Sequence, residues 1–442
     1  MNGKFLMSSE IRILVVEDSK EKKERVVELL SARLSEFSPS FDVASDYNLA
    51  VDKLKTESFD LVILDLLIPI KNRPPTVENA QSLVEMMFAG DVLPPAHIIG
   101  LTEFSEAAEK VSSFFSDKLL ALELFDWTDD DWADKISEKI AYVVRSKYAS
   151  VNFHNSHFST DLLILTARYE NEYRPIVDGI IWDTEPIQKS IHFPSYHFSS
   201  GRMRIDDALI LRTAVLCIGE MGTAAAACVT AQALNIYRPR TVAMLGMCCG
   251  FNIKESAKPI GLGDVLIARE VGSWETGKYD ENTGGYHNRA DTRGIEGHFR
   301  TLVSNAVESS KDLLLPECAS YLKRASTKSL RKKFDMAAIP KFHLGLVVSG
   351  SSIVADKNII SEIVRRQPNA LGLDMELYGV YKAVEKCLGK KPLVIGIKGV
   401  ADFGTGTKHD GIQPYASVLS LLTLIAILKK LYADFTNLRP VS

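Results

Sequence analysis

IRILVVEDSKEKKERVVELLSARL, residues 11–34, decides the fold class of the first third of the chain. Ile11–Val16 is apolar save for Arg12 and reads as a strand. Glu17, Asp18 and Ser19 make a polar turn, and Val26, Val27, Leu29 and Leu30 then fall at helical spacing among charges. The rhythm repeats in LVILDLL (61–67), AQSLVEMMF (80–88), HIIGL (97–101), LLALELF (119–125) and WADKISEKIAYVVRSKY (132–148). Short apolar strands alternating with amphipathic helices predict a parallel sheet with crossover helices. The alternation stops at SVNFHNSHFS (150–159), polar and rich in Ser, Asn and His, and restarts with DLLILTA (161–167). The expectation is an α/β chain of two units, 1–148 and 161–442, joined by a linker over 149–160.

Composition bounds what these units do. A chain of 442 residues exceeds one ordinary core. With 46% hydrophobic and 24% charged residues it excludes disordered and fibrous classes. A net charge of -4 without a dense Lys/Arg block gives no basis for a nucleic-acid partner. Six cysteines (Cys217, Cys228, Cys248, Cys249, Cys318 and Cys387) lack C-x-x-C spacing and read as reduced thiols. The N-terminal MNGKFLMSSE has no apolar signal core, and the apolar run near Ser417 to Leu428 is shorter than a bilayer crossing. The expected location is cytoplasmic, with no membrane partner.

In the second unit TAVLCIG, TVAMLG, DVLIAR, GLVVSG, LGLDM and PLVIGIKG read as further strands, most ending in glycine where a ligand or backbone comes close. Between Trp274 and Phe342 the sequence is polar and helical, without strong strand signals. Lys278, His287, Arg289, Arg293 and Arg300 lie there as candidate partners of a polyphosphate, with charges on a solvated helical insertion the alternative for each.

Acids mark the strand ends of the first unit. Glu17 and Asp18 close the first strand and Asp65 the LVILD run, so a parallel sheet brings all three to one edge. Three converging carboxylates repel one another unless a cation joins them, and hard oxygen ligands suit Mg²⁺. EDS after strand one, LVILDLLIP around Asp65 and IIGLT ending in Thr102 resemble a response-regulator receiver domain over about residues 10–148. The resemblance implies a CheY-like, doubly wound five-stranded sheet, Mg²⁺ on Glu17, Asp18 and Asp65, phosphorylation of Asp65 by a sensor histidine kinase, and Thr102 as the residue that senses the phosphoryl group. The lysine that the family places after strand five is absent, with Leu124 or Phe125 at that place.

Cleaving a purine N-glycosidic bond requires a base for water, an acid for the departing purine and stabilisation of the ribose as positive charge develops. Glu172 follows the first strand of the second unit, in LTARYENE. Glu376 lies in the apolar LGLDMELYGVY, where a buried carboxylate is costly without a partner or a proton. Asp402 ends the strand PLVIGIKGVAD, a position where burial raises a carboxyl pKa and suits it to donate a proton. Singly, each has an ordinary explanation as a helix-start, core or turn residue.

The ordered series LTARYENE, CIGEMGTAAAA, AMLGMCCGF, GLGDVLIARE, LGLVVSGSS, LGLDMELYGV and IKGVADF resembles the nucleoside phosphorylase and nucleosidase superfamily, particularly its methylthioadenosine/adenosylhomocysteine nucleosidase branch. By that resemblance the domain is α/β with a mixed central sheet. Glu172 activates water, Glu376 bonds the ribose hydroxyls and Asp402 protonates the purine. Ile353 and Val354 line the base, Met375 packs on the ribose, and Gly222 lies in the turn beside the nucleophile. Ala401 stands where the family often has Ser or Thr, and Ile353 where it has an aromatic. A receiver fused to a nucleosidase resembles the effectors of Detocs-type phage defence, which implies hydrolysis of ATP to adenine and ribose triphosphate with no cofactor for that step, in a homo-oligomer. A methylthioadenosine/adenosylhomocysteine nucleosidase, a purine nucleoside phosphorylase and a non-catalytic purine sensor are the alternatives.

Overall fold

The computed structural model describes residues 11–434 except 72, 252–258, 281–284, 289–290, 296, 310–312, 315 and 406–409. The chain divides into two compact units, residues 1–152 and 153–442.

The first unit is a five-stranded, wholly parallel sheet of order β2-β1-β3-β4-β5: β1 (Ile11–Val16), β2 (Pro39–Ala44), β3 (Leu61–Leu64), β4 (His97–Thr102) and β5 (Ala121–Leu124). Successive strand residues point to opposite faces, so each strand feeds two cores. Ile11, Ile13 and Val15 pack with α1 (Lys20–Arg33) and α5 (Asp131–Ser156). Leu14 and Val16 pack with α2 (Tyr47–Thr56), α3 (Val77–Ala89) and α4 (Ser105–Asp117). Both faces are covered, as a parallel sheet requires. The segment PSFDVA of β2 mixes polar and apolar residues and is half-buried, the pattern of an edge strand, so apolar runs alone do not find it.

The polar stretch expected as a linker over 149–160 is instead helical through Ser156, and β6 begins at Thr160. The Arg238 guanidinium donates to the His154 and Asn155 carbonyls, which satisfies acceptors at the end of the helix.

The second unit holds a nine-stranded mixed sheet. Its path runs β13-β10-β14-β15-β9-β6-β8-β7, and β16 pairs with both β9 and β10. The strands are β6 (Thr160–Thr166), β7 (Phe198–Arg204), β8 (Ile210–Cys217), β9 (Pro239–Gly250), β10 (Val265–Ser273), β13 (Thr292–Gly294), β14 (Phe342–Ser349), β15 (Ala370–Asp374) and β16 (Leu393–Asp402). A separate hairpin pairs β11 (Gly277–Asp280) with β12 (Gly285–Asn288). The hairpin and β13 correct the expectation that 274–342 carries no strands. They are three or four residues long and polar, which removes the apolar run used to find strands.

Helices α6 (Arg174–Gly179) and α7 (Thr223–Tyr237) pack on this sheet, as does the helix Gln413–Asp434. That last helix is longer than its apolar run suggests, and by length and composition it is apolar enough to cross a membrane. Leu419, Leu421, Leu424, Ile427, Leu428 and Leu431 are buried in the core beside β9 and β16, which accounts for the composition.

Candidate active site

Glu172 lies in a π-helical turn, Tyr169–Tyr173, between β6 and α6. Such turns recur at functional sites. The turn folds the carboxylate back over the strand end. Oε2 accepts from the N–H groups of Ala167 at 2.7 Å and Arg168 at 2.9 Å, and Oε1 from that of Met247 at 3.0 Å. Three backbone donors thus fix its orientation. The approach requires Gly246, whose φ is +137° and where any Cβ would overlap Glu172 Oε1.

Glu376 follows β15 at the start of the helix Leu377–Glu385. Its Oε1 accepts from the Gly222 N–H at 3.3 Å. Gly222 therefore addresses a carboxylate of the protein. Asp374 braces this segment from below: it accepts from the Glu376 and Leu377 N–H groups and from Ser349 Oγ at 2.5 Å.

Lys398, in the middle of β16, is fully buried. Its ammonium lies 3.4 Å from Glu376 Oε2, 3.6 Å from Asp374 Oδ2 and 4.0 Å from Glu172 Oε1. Burial alone would lower its pKa; Glu172, Glu376 and Asp374 together raise it above the usual lysine value. Glu376 is pushed up to about 7, first by burial and then by Asp374 and Glu172, with Lys398 opposing. Three carboxylates around one ammonium leave excess negative charge, and a carboxyl that holds its proton near neutrality relieves it.

Asp402 ends β16 across a bulge. Val400 stands opposite Cys248 and Asp402 opposite Cys249, so Ala401 is an inserted residue. Asp402 Oδ1 accepts from the Gly404 N–H at 2.8 Å. The Cys249 thiol is pushed up by burial and then by the neighbouring Asp402.

Glu172, Glu376 and Asp402 line one cavity of about 520 Å³ together with Ile353, Val354 and Met375. That volume lies in the range of small-molecule sites. Ile353 is 65% exposed and forms an edge of the cavity. Residues not singled out from the sequence complete it, among them Arg168, Met221 and Gln413. Arg168 is exposed and pairs with no carboxylate among the described residues. Lys278, Arg293 and Arg300 do not line the cavity. Arg293 is held by Asp291 and Glu385, and Arg300 lies 3.6 Å from Glu270. Arg289 and the His287 side chain fall outside the described residues.

Lys398 and Arg168 were missed from sequence. Lys398 carried a usable signal: a lysine inside the apolar strand PLVIGIKGVA is as costly as the glutamate in LGLDMELYGV and demands anionic partners. Arg168 carried none, because an arginine after a strand is ordinarily solvated.

In the first unit Glu17, Asp18 and Asp65 bring carboxylate oxygens within 4.8 Å of one another, with Glu17 and Asp65 buried and Asp18 exposed. Burial raises the carboxyl pKa of both buried acids, Glu17 to about 7 with Asp65 adding to the shift. Thr102, fully buried, ends the neighbouring β4, where its Oγ1 accepts from the Phe104 N–H at 3.3 Å.

The family model described as the phosphorylase superfamily matches residues 171–417, more than half of the chain, a span that includes Glu172, Glu376 and Asp402. The chain belongs to the phosphorylase superfamily. It is an enzyme of N-glycosidic bond cleavage, built as an α/β unit with a mixed sheet. An uncharacterized protein of Sinorhizobium fredii, y4jS, is 27% identical over 428 residues, 93% of this chain and 97% of its own length. The ATP nucleosidase Cap17 of Escherichia coli is 25% identical over 293 residues, which cover 65% of this chain and 54% of the relative. The chain thus spans about half the length of that nucleosidase. Among solved structures, the 5'-methylthioadenosine/S-adenosylhomocysteine nucleosidase of Neisseria meningitidis with methylthio-immucillin-A is 15% identical. It covers 61% of this chain and 99% of its own, with a TM-score of 0.44.

Proposed function

We propose that the second unit hydrolyses the N-glycosidic bond of adenine nucleotides, converting ATP to adenine and ribose triphosphate. The observation that carries this is one cavity lined by Glu172, Glu376 and Asp402, with the ammonium of the buried Lys398 3.4 Å from Glu376 and 4.0 Å from Glu172. Water attacks the anomeric carbon and gives its proton to Glu172, the electrons of the broken C–N bond leave with the purine, and Asp402 protonates the purine nitrogen. Glu376 accepts from the ribose hydroxyls, while Ile353, Val354 and Met375 flank base and sugar. Relationship to an ATP nucleosidase favours a nucleotide, and Arg168 at the cavity is a cation available to its phosphates.

Incubation with ATP, with and without acetyl phosphate, followed by chromatography tests the reading. Free adenine together with ribose triphosphate is expected, and no adenine in either condition removes the proposal. Methylthioadenosine and adenosylhomocysteine run alongside distinguish the nucleosidase alternative.

We further propose that the chain acts as an antiviral effector in the cytoplasm, assembled as a homo-oligomer, a reading that rests on the resemblance of the two-unit order to receiver-nucleosidase effectors. The N-terminal unit is its proposed regulatory input and a sensor histidine kinase the proposed partner. Wild type and Asp65→Ala assayed side by side in acetyl phosphate separate phosphate control at Asp65 from control by docking alone.

A further inference from the structure

The acid cluster of the first unit already contains a cation. Glu17, Asp18 and Asp65 form a donor set that suits a hard divalent ion. Lys22, in the first turn of α1, turns its side chain back into that set. Its ammonium lies 2.8 Å from Glu17 Oε2 and 3.2 Å from Asp65 Oδ1 and donates to the Leu101 carbonyl at 3.3 Å. The Phe125 ring centroid stands 5.6 Å away.

Lys22 is 1% exposed, and the two carboxylates it pairs with are buried. A divalent ion ligated by Glu17 and Asp65 would share those oxygens with a buried positive charge, where repulsion is several-fold stronger than in water. Moving the ammonium aside would break its hydrogen bond inside a packed interior and leave the charge uncompensated. Mg²⁺, expected here from the sequence, does not fit this arrangement.

We infer that Lys22 is an internal cation that replaces a divalent metal in the Glu17–Asp18–Asp65 cluster. The first unit then works without metal-assisted chemistry at Asp65. That last step rests on the regulatory reading above, whereas the cation assignment does not.

The test is a Mn²⁺ titration of the full chain followed by electron paramagnetic resonance, with Mg²⁺ as competitor. Binding is assigned to the cluster where Asp65→Asn removes it. Wild type is expected to show no cluster binding through the millimolar range, and Lys22→Met to gain it by more than about tenfold. Wild-type binding that Asp65→Asn abolishes overturns the inference. So does a folded Lys22→Met that stays metal-free. If circular dichroism shows Lys22→Met unfolded, Lys22→Gln, which retains a donor for the carboxylates, takes its place with the same two outcomes. The readout contains no nucleosidase step, so its failure and that of the proposed activity are distinguishable.

Discussion

Lys398 Nζ and Glu376 Oε2 stand 3.4 Å apart with both side chains buried, joining the middle of β16 to the start of the helix after β15. Asp374 and Glu172 face the same ammonium, so one side chain holds three acids in register. Lys398→Met leaves those carboxylates uncompensated. The expected cost is about 3–5 kcal/mol of stability, the range for removing one partner of a buried ion pair, seen as a lower Tm and lost adenine release. Lys398→Arg keeps the charge and is expected to recover more of the Tm than of the activity.

Glu172→Gln preserves shape and removes the proton acceptor. Adenine release is expected to fall by about 10²–10⁴-fold, the usual weight of a positioned base, with a lowered Tm, because the glutamine NH2 would face a backbone N–H that now donates to the carboxylate. Single-turnover kinetics and thermal melting make the comparison. Unchanged release from a folded, pure variant would remove Glu172 from the base role.

Gly246→Ala tests the same carboxylate from behind. A Cβ at this position meets Glu172 Oε1, and the positive φ adds strain. Activity is expected to drop together with stability, whereas Gly90→Ala, also at positive φ but with open space around it, lowers stability alone.

The pH dependence follows from Glu376, whose carboxyl is raised to about 7. Below that pH it is protonated and a poor acceptor for ribose hydroxyls; above it the carboxylate is present. kcat/KM is therefore expected to rise through about pH 7 to a plateau, and Glu376→Gln to remove that limb. A wild-type profile flat from acid to neutral pH contradicts the assignment.

Arg168→Ala reads the phosphate proposal. KM for ATP is expected to rise by about tenfold or more, the worth of a charge-assisted hydrogen bond, with adenosine unaffected. Equal effects on both substrates would place Arg168 elsewhere than at the phosphates.

Where side-chain chemistry declared itself in one residue, the sequence was legible. Fully apolar strands predicted the central strands of both sheets, and acids in costly or strand-end places pointed to Glu172, Glu376 and Asp402, which line one cavity. Relations across the chain were not legible. Lys22 reads as one more charge on an amphipathic helix until α1 is laid beside the ends of β1 and β3. The pairing of Arg293 with Glu385 removes a candidate phosphate ligand across 92 positions of sequence. The short polar strands of β11–β13 and the edge strand β2 escaped because pairing, and not hydrophobicity, defines them.

The bulge at Ala401 sets the phase of the last strand. Because β16 advances two residues while β9 advances one, Asp402 stands level with Cys249, a place that Ala401 would take in an uninterrupted ladder. The presentation of Asp402 at this end of the sheet is consequently set by the inserted residue as much as by the identity of the acid. Deleting Ala401 would close the bulge and set the acid directly after Val400, still level with Cys249 but on a ladder without the extra turn of backbone that now presents it.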